Sequence, residues 1–121
     1  MIKVDLLGTS VSICKKSELI RAAEKALIQK KKSYHFLSIN PIKIIRAQKD
    51  RDLENFIKKA DVVYADAIGI CIGLKLIHKI NQERIPGYEF HFDVLDICNE
   101  KELSVYVIGS KQRVIDKAMK L

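Results

Sequence analysis

A single carboxylate, Asp66, closes the short apolar run Val62-Val63-Tyr64-Ala65 and stands before a second apolar run that opens with small residues. A side chain placed there can take a proton from an alcohol as its oxygen attacks a sugar carbon, which is the work of a general base. Asp also caps helices by accepting from the free amides of a first turn, and the spacing leaves both roles open. Three further places offer chemistry beside it. Ser38 and Asn40 follow an aromatic and apolar run, and Asn40 before Pro41 is equally a helix-start signal. Arg84 stands in the polar stretch 81–87, where its planar fork can hold a phosphate or a carboxylate, or be merely solvated. Gly109-Ser110-Lys111 lets backbone amides at a helix start approach a diphosphate, with Lys111 adding charge. It is neither a Walker loop nor a full Gly-x-Gly-x-x-Gly pattern, and it also reads as an ordinary strand-to-helix turn.

These groups meet only if strands and helices alternate. Apolar and β-branched runs predict strands over 2–7, 34–39, 62–65 and 103–108, with 9–16 as an extended continuation of the first. Helical spacing predicts a helix capped by Ser17 and ending in the Lys30 to Lys32 cluster, a short one over 41–48, and one capped by Asp50 with Leu53, Phe56, Ile57 and Ala60 on one stripe. A helix over 67–80 is apolar nearly all round, so it is expected to be buried on several sides. Two more cover 88–98, with Asn99 as C-cap, and 112–121, with Val114, Ile115, Ala118 and Met119 on one face. The class is α/β, and the alternation implies right-handed crossovers and a mostly parallel sheet with helices on both faces. The C-terminal ends of parallel strands share one edge, which would bring together Ser38 and Asn40, Asp66, the Arg84 to Glu89 loop, and Gly109 to Lys111.

Composition bounds the partners. The 121 residues suit one domain, 1–121, and 48% hydrophobic with 31% charged residues, two Pro and five Gly describe an ordered globular chain. A net charge of +7, from 22 Lys and Arg against 15 Asp and Glu, favours anionic partners. The basic residues are spread through the chain without interleaved exposed aromatics, so nucleic acid is not expected. Cys14, Cys71 and Cys98 form no Cys-x-x-Cys pair and fit a reduced, cytoplasmic setting as small core residues. His35, His78 and His91 share no metal-ligand or dyad spacing, and no metal or other cofactor is expected. Nowhere do about 18 apolar residues run together, so any membrane contact is expected to be peripheral. The last helix meets no Gly or Pro stop before Leu121, and a longer natural chain is expected.

The order of these pieces resembles the bacterial WecG/TagA/CpsF glycosyltransferases, which include N-acetylmannosaminyltransferases of teichoic acid and enterobacterial common antigen synthesis. The resemblance covers nearly the whole chain. It begins at Leu7-Gly8, and Ser38-Ile39-Asn40 is similar to the family's Thr-Pro-Asn after the second strand. The stretch from Ala60 through Asp66 to Gly69 is similar to Ala-Asp-Leu-Val-x-Pro-Asp-Gly-x-Gly, and Arg84-Ile85-Pro86-Gly87-Tyr88-Glu89 to Arg-Val-x-Gly-x-Asp. The run into Gly109-Ser110-Lys111 resembles a strand ending in Gly-Gly-Lys. The resemblance implies a Rossmann-like fold and inverting transfer of a hexosamine from a UDP-sugar to a lipid-diphosphate-linked acceptor at the cytoplasmic membrane face. It implies Asp66 as base, Ser38 and Asn40 as sugar or acceptor contacts, Arg84 as a phosphate contact, and Gly109 near the nucleotide, with Lys111 able to add charge there. The departures are Ala67 for Gly, Glu89 for Asp, Ser110 for the second Gly, and a displaced proline at Pro41. Members of the family are longer, so further residues or a second copy in a homo-oligomer would have to close the site. An inactive remnant serving as a nucleotide-binding or assembly module is the alternative.

Overall fold

The computed structural model describes residues 1–30 and 32–120. Lys31 of the expected helix end and Leu121 of the expected last helix lie outside the described residues.

Leu7 and Gly8 have φ of 51° and 90°, the two positive values that a two-residue type I′ turn requires. They fold Ile2–Leu6 (β1) back on Thr9–Ile13 (β2) as an antiparallel hairpin, with Leu6 opposite Thr9. Residues 9–13 therefore form a strand of their own where one continuous extended segment was expected, because Gly8 accepts the reversal without steric cost. The Asp5 carboxylate receives the Gly8 amide at 3.3 Å. Helix α1, Lys16–Gln29, starts one residue ahead of Ser17. Glu18 reaches back to the Lys15 amide at 3.1 Å, and that reciprocal closure places the start upstream of the expected cap.

Phe36–Ile39 (β3) and Val62–Ala65 (β4) pair in parallel, in register from Phe36 opposite Val62 to Ile39 opposite Ala65. A parallel pair needs a crossover, and Pro41–Ala47 (α2) and Arg51–Lys58 (α3) supply it. Both begin where their caps direct. Asn40 Oδ1 accepts from the Lys43 amide at 2.9 Å, and Asp50 Oδ1 accepts from Asp52 and Leu53 at 3.0 and 3.1 Å. Asn40→Ala is expected to lower stability by about 1 kcal/mol and Asn40→Asp to keep most of it, as urea denaturation would show.

The pleat of β3 and β4 sends alternate residues to opposite faces. Ile39, Val63 and Ala65 pack with Ile44, Ala47 and Ile57 of α2 and α3 on one face. Phe36, Val62 and Tyr64 pack on the other with Leu19 and Ala23 of α1 and with Phe90 of α5, Gly87–Glu100. The hairpin flanks β4 on the side away from β3, where the buried Ser12 hydroxyl receives the Val63 amide at 3.1 Å. A side chain thus does the work of a ladder bond. The chain is α/β with helices on both faces of the parallel pair. In place of one mostly parallel sheet, the described residues form one parallel pair and one antiparallel hairpin.

Two expectations fail here for the same physical reason, the lack of a covering element. Helix α4, Ile68–His78, buries Ile70, Cys71 and Leu74 against the core but leaves Ile68, Ile72, Leu76 and Ile77 exposed, so it is covered on one side only. The 103–108 segment forms no strand and pairs with no neighbour among the described residues. Beyond the Leu103 amide, which returns to the Cys98 carbonyl at 2.8 Å, no described hydrogen bond ties 104–110 to the rest of the chain. It leads into α6, Gln112–Met119, which is largely exposed. Asn99 lies inside α5, whose C-cap is Lys101.

Candidate active site

The C-terminal ends of β3 and β4 meet at one edge because the two strands are parallel and in register. Ser38 and Asn40 come from one, Asp66 from the other. The Asp66 amide continues the ladder to the Ile39 carbonyl at 3.2 Å, which fixes the backbone from which the carboxylate projects.

The expected choice for Asp66 lay between base and cap of the following helix. The side chain does not cap that helix, whose N-cap is Ala67 without a side-chain bond. Asp66 Oδ1 instead accepts the amide of Gly87, the first residue of α5, at 2.9 Å. A carboxylate at a helix start is stabilised by the free amides and the helix dipole. Oδ2 has no described partner. A side chain at Gly87 would bring its Cβ to 3.4 Å from Oδ2 and 3.3 Å from the Tyr64 hydroxyl, so the absence of a side chain there keeps the carboxylate approachable.

Arg84 is held at the same residue through its backbone. Its Nε donates to the Asp66 carbonyl at 2.8 Å, and among the described residues its terminal nitrogens have no partner. The loop carrying it is held by Ile85, fully buried, whose amide bonds the Ala65 carbonyl at 2.8 Å. A deeper tether is Gln82. Its side chain accepts from the Cys14 amide at 3.0 Å and donates to the Cys14 and Glu83 carbonyls at 2.7 and 2.8 Å.

The structure therefore brings together Ser38, Asn40, Asp66 and Arg84. It does not bring Gly109 and Lys111 to them by a strand, since 103–108 is unpaired. Asn40 uses its oxygen as a cap, leaving its amide nitrogen to donate. Sequence reasoning missed Lys43, whose Nζ donates to the Ser38 carbonyl at 2.8 Å and hydroxyl at 3.2 Å. Its position three residues after a capping Asn, on the first turn, was the available signal. Gln82 and Tyr64 gave none. His91 Nδ1 meets the Gly87 carbonyl at 2.8 Å, His78 Nε2 meets the Asp5 carbonyl, and His35 packs on Phe56. Among the described residues no three of His, Cys, Asp and Glu gather as a metal cluster. No helix is long and apolar enough to cross a membrane among those residues.

With a half-buried carboxylate on an α/β strand end and a guanidinium fork beside it, the site has the parts for group transfer to an alcohol. The sequence profile of the family described as glycosyl transferase WecG/TagA/CpsF matches residues 4–121. The chain belongs to the WecG/TagA/CpsF family. Two relatives are each named N-acetylglucosaminyldiphosphoundecaprenol N-acetyl-beta-D-mannosaminyltransferase, one from Bacillus subtilis (strain 168) and one from Bacillus spizizenii (strain ATCC 23059 / NRRL B-14472 / W23). Each is 29% identical to this chain over 92 residues. The match takes in 76% of this chain but 36% of each relative, so the chain aligns with little more than a third of their length.

The candidate site of this WecG/TagA/CpsF chain is backed by groups that burial keeps neutral. Burial, with the Asp66 charge adding to it, pushes the Tyr64 phenol from 10.0 up to about 12, against a partial pull from the Ser38 hydroxyl. Burial likewise pushes the Cys14 thiol, beside the Gln82 tether, from 9.0 up to about 11, with Glu18 and Glu83 adding to the rise. Both folded-state values lie above the unfolded ones, so the folded state holds these protons more tightly. Their contribution is complete below pH 9 and is lost as pH rises from 9 to about 12. Melting temperature is expected to fall across that window, and Tyr64→Phe to blunt its upper half.

Proposed function

We infer that the chain is the strand-end portion of an inverting glycosyltransferase that moves N-acetylmannosamine or a related hexosamine from a UDP-sugar to a lipid-diphosphate-linked acceptor in cell-surface polysaccharide synthesis. The observation that carries this reading is the Asp66 carboxylate, anchored through one oxygen by the Gly87 amide and left open at the other. The activity named for the two Bacillus relatives, with membership of the family, supports the choice of sugar and of a lipid-diphosphate-linked acceptor. On this reading the β3–β4 pair with its helices is the heart of a Rossmann-like sheet.

The step needs few parts. The acceptor hydroxyl oxygen attacks the anomeric carbon from the face opposite the diphosphate and passes its proton to the free oxygen of Asp66. The bond from the anomeric carbon to the diphosphate oxygen breaks, the configuration inverts, and UDP leaves. The Arg84 fork meets the departing charge, with Gly109 and Lys111 assigned to the nucleotide, so the reading calls on no metal. Ser38 and the Asn40 amide nitrogen face sugar or acceptor hydroxyls. The protein works peripherally at the cytoplasmic membrane face, where a lipid-linked acceptor lies, and groups from further residues or a second copy close the site.

UDP release from UDP-N-acetylmannosamine by the intact gene product, dependent on a lipid-diphosphate N-acetylglucosamine acceptor, tests this. Calorimetric binding of UDP with no release under any acceptor would instead identify a nucleotide-binding or assembly module, which the departures at Ala67, Glu89 and Ser110 favour.

A further inference from the structure

Lys16, Lys32, Lys58 and Lys101 each reach a carboxylate. Lys43 does not. Among the described residues its ammonium is held by neutral oxygens alone, the Ser38 carbonyl at 2.8 Å and the Ser38 hydroxyl at 3.2 Å. No acidic residue occurs from Ser38 to Lys49, so the neighbouring chain supplies no counter-ion. The root of the side chain is fixed as well, since the Lys43 amide donates to Asn40 Oδ1 at 2.9 Å. A lysine pinned at both ends has given up its rotamer freedom before any ligand arrives. An ammonium has three N–H donors and no acceptor, so two are spent on Ser38 and one is left. The Ser38 oxygen must then accept, and its own O–H is left to turn toward Tyr64 or a ligand oxygen. The Ile39 carbonyl receives the Asp66 amide on the β4 side, so by alternation the Ser38 carbonyl, with Lys43 on it, looks out from the opposite edge of β3.

Arg84 is pinned in the same manner, by Nε on the Asp66 carbonyl at 2.8 Å, with its terminal nitrogens unpartnered among the described residues. Two cations are thus anchored on backbone at the strand ends, one on β4 and one on β3. The reaction given under Proposed function, on which this rests, handles two diphosphates, that of the donor and that of the acceptor. In an inverting displacement the nucleophile and the leaving group lie on opposite faces of the anomeric carbon, so two separate cations suit it better than one. Arg84 meets the departing UDP. We propose that Lys43 binds the diphosphate of the acceptor, which hangs from the far side of the sugar ring whose hydroxyl Asp66 deprotonates. Neighbouring strands lie about 4.8 Å apart, so a group beyond the outer edge of β3 stands about two strand spacings from the end of β4. That leaves room for one pyranose ring between the base and the ammonium. A charge-assisted contact from a preorganised ammonium to a phosphate oxygen is stronger than one between neutral groups, so Lys43 contributes to acceptor affinity more than the neutral Ser38 does.

Binding is read without turnover, so failure here is distinct from failure of the glycosyltransferase reading. The intact gene product and its Lys43→Met and Lys43→Arg variants are titrated calorimetrically with three probes: a short-chain prenyl-diphosphate N-acetylglucosamine, an alkyl N-acetylglucosaminide without phosphate, and UDP. Lys43→Met is expected to weaken the diphosphate acceptor about tenfold or more, and Lys43→Arg to restore it to within about threefold. Neither changes the neutral glycoside or UDP. Equal loss on both acceptors overturns the proposal, since Lys43 would then act only through Ser38. Loss on UDP alone overturns it too, because the ammonium would serve the donor, and so does an acceptor affinity that is unchanged or absent in the native protein. Should Lys43→Met fail to fold, the native protein decides: the diphosphate acceptor, and not the neutral glycoside, must shield the Lys43 amine from acylation, and equal shielding overturns the proposal. Lys43-dependent binding of the acceptor with no UDP release from any UDP-sugar would keep the subsite and retire the transferase reading.

Discussion

Asp66→Asn is expected to cut the rate of UDP release about 10²–10⁴-fold with little change in KM and a melting temperature near that of the native protein. The asparagine oxygen can still accept the Gly87 amide, now held at 2.9 Å, so the start of α5 stays in place. What is lost is only the ability to take a proton. Asp66→Ala removes both functions. It leaves the first amide of a 14-residue helix without its partner, and stability should fall by about 1 kcal/mol along with activity. Initial rates and thermal unfolding on the same two variants separate chemistry from anchoring. An Asn variant with undiminished kcat would rule out Asp66 as the base.

The second large effect is structural and lies outside the strand ends. Gln82→Ala should cost about 2–4 kcal/mol, because it strands the buried amide and carbonyl of Cys14 together and each unpaired group carries a desolvation penalty. The loop that Gln82 holds also delivers Ile85 to β4 and Arg84 to Asp66, so hydrogen exchange across 82–86 should quicken and KM for the donor should rise. Gln82→Glu is no rescue. It keeps an acceptor for the Cys14 amide but turns a donor into a carboxylate oxygen facing the Cys14 carbonyl. A stability loss under about 0.5 kcal/mol for Gln82→Ala would mean that water replaces the tether.

Local signals were legible where the chain settles its own geometry. Asn40 before Pro41 and Asp50 start helices as expected, and Val62 to Ala65 is a buried strand, because a cap or a β-branched run acts over a few residues. Asp66 was legible as the residue that ends a buried strand but not in its anchoring, since its partner Gly87 lies 21 residues on. The spacing of Asp66 to the next helix suggested a cap that the backbone does not use. Gln82 read as one more polar loop residue, because nothing nearby in sequence predicts that it will imitate a strand partner for Cys14. Residues 103–108 and α4 show the other limit. Hydropathy records what a side chain is and not whether another element arrives to cover it, so a strand without a neighbour and a helix with one bare face both read as buried.

The Gln82 tether also sets an order of events. Its bonds to Cys14 close a span of 68 residues, and the Lys16 to Glu89 ion pair closes one of 73. Contacts so far apart in sequence carry a large loop-closure entropy and tend to form late. The hairpin and α1 leave the ribosome well before Gln82 exists, and until it does the Cys14 backbone must be served by water. The strand pair can form while Arg84 is still unplaced, so the edge that holds Asp66 is completed only in the last stage of folding. Changes in the 79–86 loop should therefore act mainly on the yield of competent protein, by lengthening the time a half-built site is open to aggregation and proteolysis.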